Sequence, residues 1–272
     1  MTTDNPAPDV PQTFSIAKAN LTVTANNATR EYGDANPAFS ASYSGFKNGE
    51  NLGTSGVTGT PGLTTTATAT SAVPGPYTIA AAAGTLSSAN FSFTFVDGEL
   101  TITKATLNVK ADNATREYGD ANPTFTATYT GFKNGEVLAT SGVTGSPSLT
   151  STATPTSAVP GPYTIAAALG TLAAGNYTFT FATGDLTITK ATLTVTADNK
   201  SRDYGDANPL FTASYSGFKN SEVLATSGVT GSPSLTTTAT PASSVAGSPY
   251  TIAAALGTLA SGNYNSLLST AN

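Results

Sequence analysis

The string REYGDANP at residues 30–37 returns unchanged at 116–123 and as RDYGDANP at 202–209. Its tyrosines, Tyr32, Tyr118 and Tyr204, are spaced by 86 residues. GFKN at 45–48 returns at 131–134 and 217–220 with the same spacing. PYTI at 76–79 returns at 162–165 and, after one inserted residue, at 249–252. A period this long exceeds the common solenoid units and describes a chain of small domains of one design.

Working outward from that string, the signals within each copy are β. Leu21/Val23, Leu107/Val109 and Leu193/Val195 alternate with polar residues, as do FSASY at 39–43, FSFTF at 91–95 and LTITK at 100–104. Period-two alternation punctuated by Gly, Pro, Asn and Asp predicts antiparallel sandwiches. Asp97-Gly98 and Gly184-Asp185 fall between alternating runs, where hairpin turns are expected. Residues 134–141 are the one helical candidate, at most two turns long. The expected fold is all-β: three tandem Ig-like antiparallel β-sandwich domains in a rod, with small β-grasp-like domains carrying one short helix as the alternative. Ile102 and Leu107 are five apart, so the inward face switches at the crossing between domains. The expected divisions are a Pro-rich leader at 1–19 with a candidate donor strand at 13–19, then repeats at 20–104, 105–190 and 191–272.

Composition narrows the function. The 272 residues include 11 Lys+Arg and 16 Asp+Glu but no His, Cys or Trp. No zinc finger, Cys nucleophile, Ser-His-Asp triad or haem ligation is possible with that inventory. A net charge of −5 argues against nucleic acid as a partner. Charged residues make up 10% of the chain, so Thr, Ser, Asn and Ala must form most of the surface, as suits an exposed extracellular protein. No apolar run is long enough for a membrane-spanning helix. MTTDN at 1–5 lacks the basic start and apolar region of a signal peptide, so a secreted protein would be numbered here in processed or recombinant form.

The combination YGDANP, GFKNGE, PYTI…GTL…NYTFTF and G(D/E)LTITKA resembles the MBG family of YGX type, bacterial surface repeats counted among Ig-like modules. The resemblance covers nearly the whole chain in triplicate. It implies an extracellular or cell-surface location and a stalk, adhesin or scaffold role, and it brings no catalytic residues.

Three constellations call for a functional and a structural reading. Arg30, Glu31 and Asp34, with their counterparts Arg116, Glu117, Asp120 and Arg202, Asp203, Asp206, could offer Ca²⁺ oxygens together with Asn36. One loop supplies few carboxylates, so we read a turn that Asp34 caps and Pro37 exits. Paired carboxylates also serve glycosidases, but a catalytic pair repeated in three small domains is better read as a recurring turn; no enzyme, cofactor or metal site is expected. Asn27, Asn113 and Asn199 sit in sequons that composition alone explains. Lys104 and Lys190 end LTITK on its apolar side, which would suit an isopeptide bond; the plainer reading packs the stem and leaves the ammonium at water.

The ends bear most directly on function. The first two copies close with LTITK at 100–104 and 186–190, and the third would place its equivalent at about 273–277, beyond Asn272. Its preceding strand, Tyr264 onward, carries Leu267 and Leu268 in place of the Phe-rich pattern. At the other end Phe14-Ser-Ile16-Ala-Lys18 matches LTITK one period earlier. The expectation is donor-strand complementation: Phe14, Ile16 and Lys18 complete the third domain of a neighbour, with Tyr264, Leu267 and Leu268 on the acceptor side, giving a head-to-tail filament whose partner is itself. Pro6, Pro8 and Pro11 would keep the leader extended. The alternative is a fragment of a large repeat adhesin that binds glycan, other cells or surface proteins.

Overall fold

The computed structural model describes residues 10–270; Pro6 and Pro8 of the leader fall outside that range. The first repeat contains β1 (Ala19–Ala25), β2 (Ala28–Glu31), β3 (Ala41–Ser44), β4 (Gly62–Thr64), β5 (Tyr77–Ala82), β6 (Phe91–Val96) and β7 (Gly98–Thr103). The second follows with β8 (Ala105–Ala111), β9 (Ala114–Glu117), β10 (Ala127–Thr130), β11 (Ser148–Ser151), β12 (Tyr163–Ala168), β13 (Tyr177–Ala182) and β14 (Gly184–Thr189). The third has β15 (Ala191–Ala197), β16 (Ala213–Ser216), β17 (Ser234–Thr236), β18 (Ala253–Ala255) and β19 (Tyr264–Ser269). The protein is all-β, and the one helical element among the described residues is a 3₁₀ turn at Val245–Gly247.

In the first repeat β1 lies between β3 and β6, while a second sheet runs β2-β7-β5-β4. Alternation buries Leu21, Val23 and Ala25 along β1, and Ala25 meets Ala67, Ile79 and Leu100 of the facing layer. The second repeat repeats this core with Ala111, Ala153, Ile165 and Leu186. The expected pure antiparallel pairing needs correction. β1 runs parallel to β6, and β2 parallel to β7, so both sheets are mixed. The chain visits the opposite sheet between β1 and β6, a crossover long enough to return it in the same direction.

Two local expectations also change. Asp97-Gly98 is not a hairpin turn: β6 and β7 belong to different sheets, and the chain switches layers there. Gly184 and Asp185 are the first residues of β14 itself. Glycine is needed at these starts because a Cβ on Gly98 would meet the Ala25 carbonyl oxygen at 2.5 Å, and one on Gly184 the Ala111 carbonyl oxygen at 2.5 Å. The helical candidate at 134–141 is a run of turns. Asn134 at φ 54° and Gly135 at φ 70° take the left-handed conformation, which a helix cannot propagate.

Strand β7 passes to β8 through Lys104 alone. Gly98, Leu100 and Ile102 are buried before it, and Ala105, Leu107 and Val109 after it, so the inward phase flips at the lysine. Compactness does not follow the repeat boundaries. Among the described residues, one compact unit takes in 10–107 together with Gly131–Val143 and Ala173–Thr178; the other comprises Asn108–Thr130, Thr144–Leu172 and 179–270. Pieces of the second repeat therefore pack with the first.

The glycine requirement can be tested. Gly98→Ala should destabilise the first repeat by about 1–3 kcal/mol, the usual cost of forcing atoms into a packed site. Chemical denaturation would show this as an early transition; an unchanged unfolding curve would contradict the close approach.

Candidate functional site

Within the second compact unit, residues of two consecutive repeats form one core. Tyr118 and Ile188 of the second repeat pack with Ala191, Leu193 and Tyr264 of the third, and Val159, Tyr163, Tyr215, Phe218 and Val229 close around them. The rings of Tyr118 and Tyr264 meet edge to face at 5.6 Å, and Phe218 sits edge-on to Tyr264 at 5.9 Å. This apolar joint carries a polar centre. The Tyr118 hydroxyl donates to Glu222 Oε1 at 2.6 Å and the Tyr264 hydroxyl to Glu222 Oε2 at 2.6 Å. Tyr264 in turn accepts from the Lys219 backbone N–H at 2.9 Å. Lys219 Nζ bridges Glu117 at 3.0 Å and Asp120 at 2.9 Å.

The first compact unit holds the same arrangement between the first repeat and the loop 131–143. Tyr32 and Tyr177 donate to the two oxygens of Glu136, each at 2.5 Å, and their rings cross at 5.5 Å. Lys133 Nζ lies 3.0 Å from both Glu31 and Asp34. Gly33 lies directly under the Lys133 stem, where a Cβ would come within 2.3 Å of it. Asn176 Oδ1 accepts from the Val73 N–H, and Lys104 Nζ donates to the Ala174 carbonyl at 2.8 Å. Lys190 does the same to Ser261 at 2.7 Å. These lysines pin a loop of the following repeat through a hydrogen bond, where the plainer reading of the sequence leaves the ammonium at water.

The REYGDANP turn thus has two faces. Arg30 holds it from within, through Asn36 Oδ1, the Glu31 carbonyl and the Thr68 carbonyl. Asn36 also donates to the Ala67 carbonyl, so both of its polar atoms are engaged in the turn. Asp34 faces outward to Lys133, which corrects the expectation that it caps the turn's own N–H groups. The sequon residues Asn27 and Asn113 accept from the Glu99 and Asp185 N–H groups at 2.8 and 2.9 Å, a structural task at the start of β7 and β14.

A family model described as MBG domain (YGX type) matches residues 21–101, 107–187 and 193–272. The chain belongs to this family. MBG repeats are a structural, adhesin-type domain found in surface and extracellular proteins, not a catalytic one. No curated protein matches the chain. No described helix is long and apolar enough to cross a membrane.

The residues singled out at the ends are placed as follows. Phe14 and Ile16 are 88% and 87% exposed and lie in no strand. Lys18 Nζ donates to the Ser88 carbonyl at 2.8 Å, the counterpart of Lys104 and Lys190 at the other repeats. Tyr264 is buried in the joint, Leu267 is 58% exposed and Leu268 half-buried, all on β19, which pairs with β15. In the other MBG repeats the equivalent strands, β6 and β13, are not in the sheet that holds β7 and β14. Among the described residues, the third repeat's counterpart of that sheet is the β17–β18 pair. Beside it, residues 199–204 and 248–252 border a groove of about 250 Å³. Beneath lies a smaller core of Ala197 and Ile252, with Phe211, Leu235 and Ala254 around it.

Burial first, and then the hydrogen bond to glutamate, push Tyr177 and Tyr264 up to about 12. Asp34 and Asp120, with Glu31 and Glu117, raise Lys133 and Lys219. A raised value means the folded state keeps its proton where the unfolded chain has lost it. The stabilisation is therefore complete below about pH 10 and lost as pH climbs towards 12. Spectroscopic titration of the tyrosinates should show two of the 11 tyrosines ionising near pH 12, with loosening of the joints over the same range. Glu222→Gln should bring Tyr264 down only in part, since burial is the larger cause. All tyrosines titrating together near pH 10 would contradict the buried pairs.

Proposed function

We propose that the chain is a structural subunit of a bacterial extracellular filament or surface stalk, assembled head to tail by strand donation. The supporting observation is the groove of the third repeat. It lies where the first two repeats hold β7 and β14, between a parallel neighbour and an antiparallel one. The donor is the segment Phe14-Ser-Ile-Ala-Lys18 of a second copy. In the register of β7, where Leu100 faces Ala28 and Tyr77, Phe14 would sit between Lys200 and Tyr250, and Ile16 beside Arg202. The Asn199 side chain would accept from the Thr13 N–H, as Asn27 does from Glu99. Insertion begins at Thr13, because Gln12 would fall at the position of Gly98, where a Cβ meets a carbonyl.

Lys18 fits this arrangement without rearrangement. Inside the chain, Lys104 leaves β7 of one repeat and fastens the next; Lys18 already fastens the first repeat through Ser88. A donated strand therefore ends where its own domain begins, as the internal crossings do. Burying Phe14 and Ile16 would contribute roughly 1.5–3 kcal/mol each, with main-chain hydrogen bonds along two edges added.

Electron microscopy of the purified protein tests the reading. Filaments are expected from the full chain, and their loss on deleting residues 1–17 or on Ile16→Asp. Deletion stops short of Lys18 so that the first repeat keeps its fastening. A peptide spanning residues 13–19 should cap growing ends. Filaments of unchanged repeat length from the truncated protein would overturn strand donation and favour the adhesin-array reading, in which a following repeat fills the groove.

A further inference from the structure

Both halves of the joint recur at the surface of this chain, each facing solvent. The outer half is the third repeat's turn, in which Tyr204 is 68% exposed where Tyr32 and Tyr118 are each 3%. Its shape is already set. Arg202 donates to Asn208 Oδ1 and the Asp203 carbonyl, and the Asp206 N–H donates to the Asp203 carbonyl, as their counterparts do in the other two turns. Gly205 has φ +94° like Gly33 and Gly119, but a Cβ there would meet nothing within 4 Å. The inner half is the first repeat's loop 45–50. Asn48 at φ 53° and the Glu50 N–H bond to the Lys47 carbonyl at 2.9 Å match the docked loops at Asn134 and Asn220. Phe46 meets Phe91 edge to face at 6.0 Å, as Phe132 meets Tyr177 and Phe218 meets Tyr264. Lys47 is exposed.

We propose that these two faces form a third joint, between one copy of the chain and a second: Tyr204 donates to Glu50, and the Lys47 ammonium sits between Asp203 and Asp206. Charge complementarity and two internal examples of the same pairing specify the occupant. Two substitutions make this joint weaker than the internal ones. Phe91 stands where Tyr177 and Tyr264 stand, so Glu50 gains one tyrosine hydroxyl where Glu136 and Glu222 have two. Asp203 stands where the other turns have Glu31 and Glu117, so its carboxylate reaches one methylene less far. The weak joint is the one that must form and break between copies. This inference rests on reading the chain as self-assembling, but not on strand donation.

Sedimentation velocity on the full-length protein tests it. Lys47→Glu alone, or Asp203→Lys with Asp206→Lys, should each abolish association through like-charge repulsion. Mixing the two variants should restore it, because every junction in an alternating polymer then pairs opposite charges. Phe91→Tyr, which supplies the second hydroxyl, should lower the concentration needed for assembly by about tenfold, the scale of one hydrogen bond to a charged group. Charge-dependent pairing that survives removal of residues 1–17 supports the joint while overturning strand donation. Assembly that vanishes on truncation but ignores both charge variants overturns the joint and keeps strand donation. A parent chain that stays monomeric at millimolar concentration overturns both.

Discussion

Each joint turns on one carboxylate shared by two tyrosine hydroxyls. Glu136 and Glu222 are half-buried, and each accepts from a tyrosine of the preceding repeat and from a tyrosine that closes the same joint. A buried hydroxyl that loses its acceptor costs about 1–3 kcal/mol, so the carboxylate stabilises both rings in place. The edge-to-face contact of the rings, the lysine lying over the turn glycine, and the clamp of that lysine by two acids all depend on the loop that brings the glutamate in. Because the tyrosines come from different repeats, satisfying the carboxylate and joining the repeats are the same event.

That coupling explains why the closing strands matter. Ile188 of β14 lies in the joint core beside Tyr118 and Leu193, while Leu186 of the same strand lies in the core of its own repeat. One strand thus fills two cores, and the phase flip at the following lysine lets the next strand enter the second of them. The third repeat has a groove beside β17 and β18 and an exposed Tyr204. Phe14, Ile16, Lys47 and Glu50 of a second copy are the groups proposed to complement them. A contact between unlike surfaces of two copies propagates as a filament when its rotation does not close into a ring.

The sequence reveals the period, the all-β class, the alternation and the parity break at Lys104, because each is local. Strand partners are less legible: two-residue alternation is the same for parallel and antiparallel pairing, so β1–β6 could not be anticipated. The joints are hidden by the repetition itself. Glu31 has a Lys in its own copy, Lys47, and another one period on, Lys133, and nothing local says which it pairs with. One signal was present. Phe91 of the first copy is matched by Tyr177 and Tyr264 in the second and third, and Glu50, Glu136 and Glu222 all stand ready for that hydroxyl. The acceptor residues are a matter of topology. Tyr264, Leu267 and Leu268 lie on β19, which follows both groove-bordering segments, 199–204 and 248–252, in sequence.

Native-state hydrogen exchange on Tyr118→Ala addresses the shared core most directly. If consecutive repeats are one cooperative structure at the joint, protection should fall in β15 and β19 of the third repeat as well as around Tyr118 itself. Loss of protection confined to the second repeat, with β15 and β19 exchanging as in the parent, would show the repeats to be independent and contradict the account.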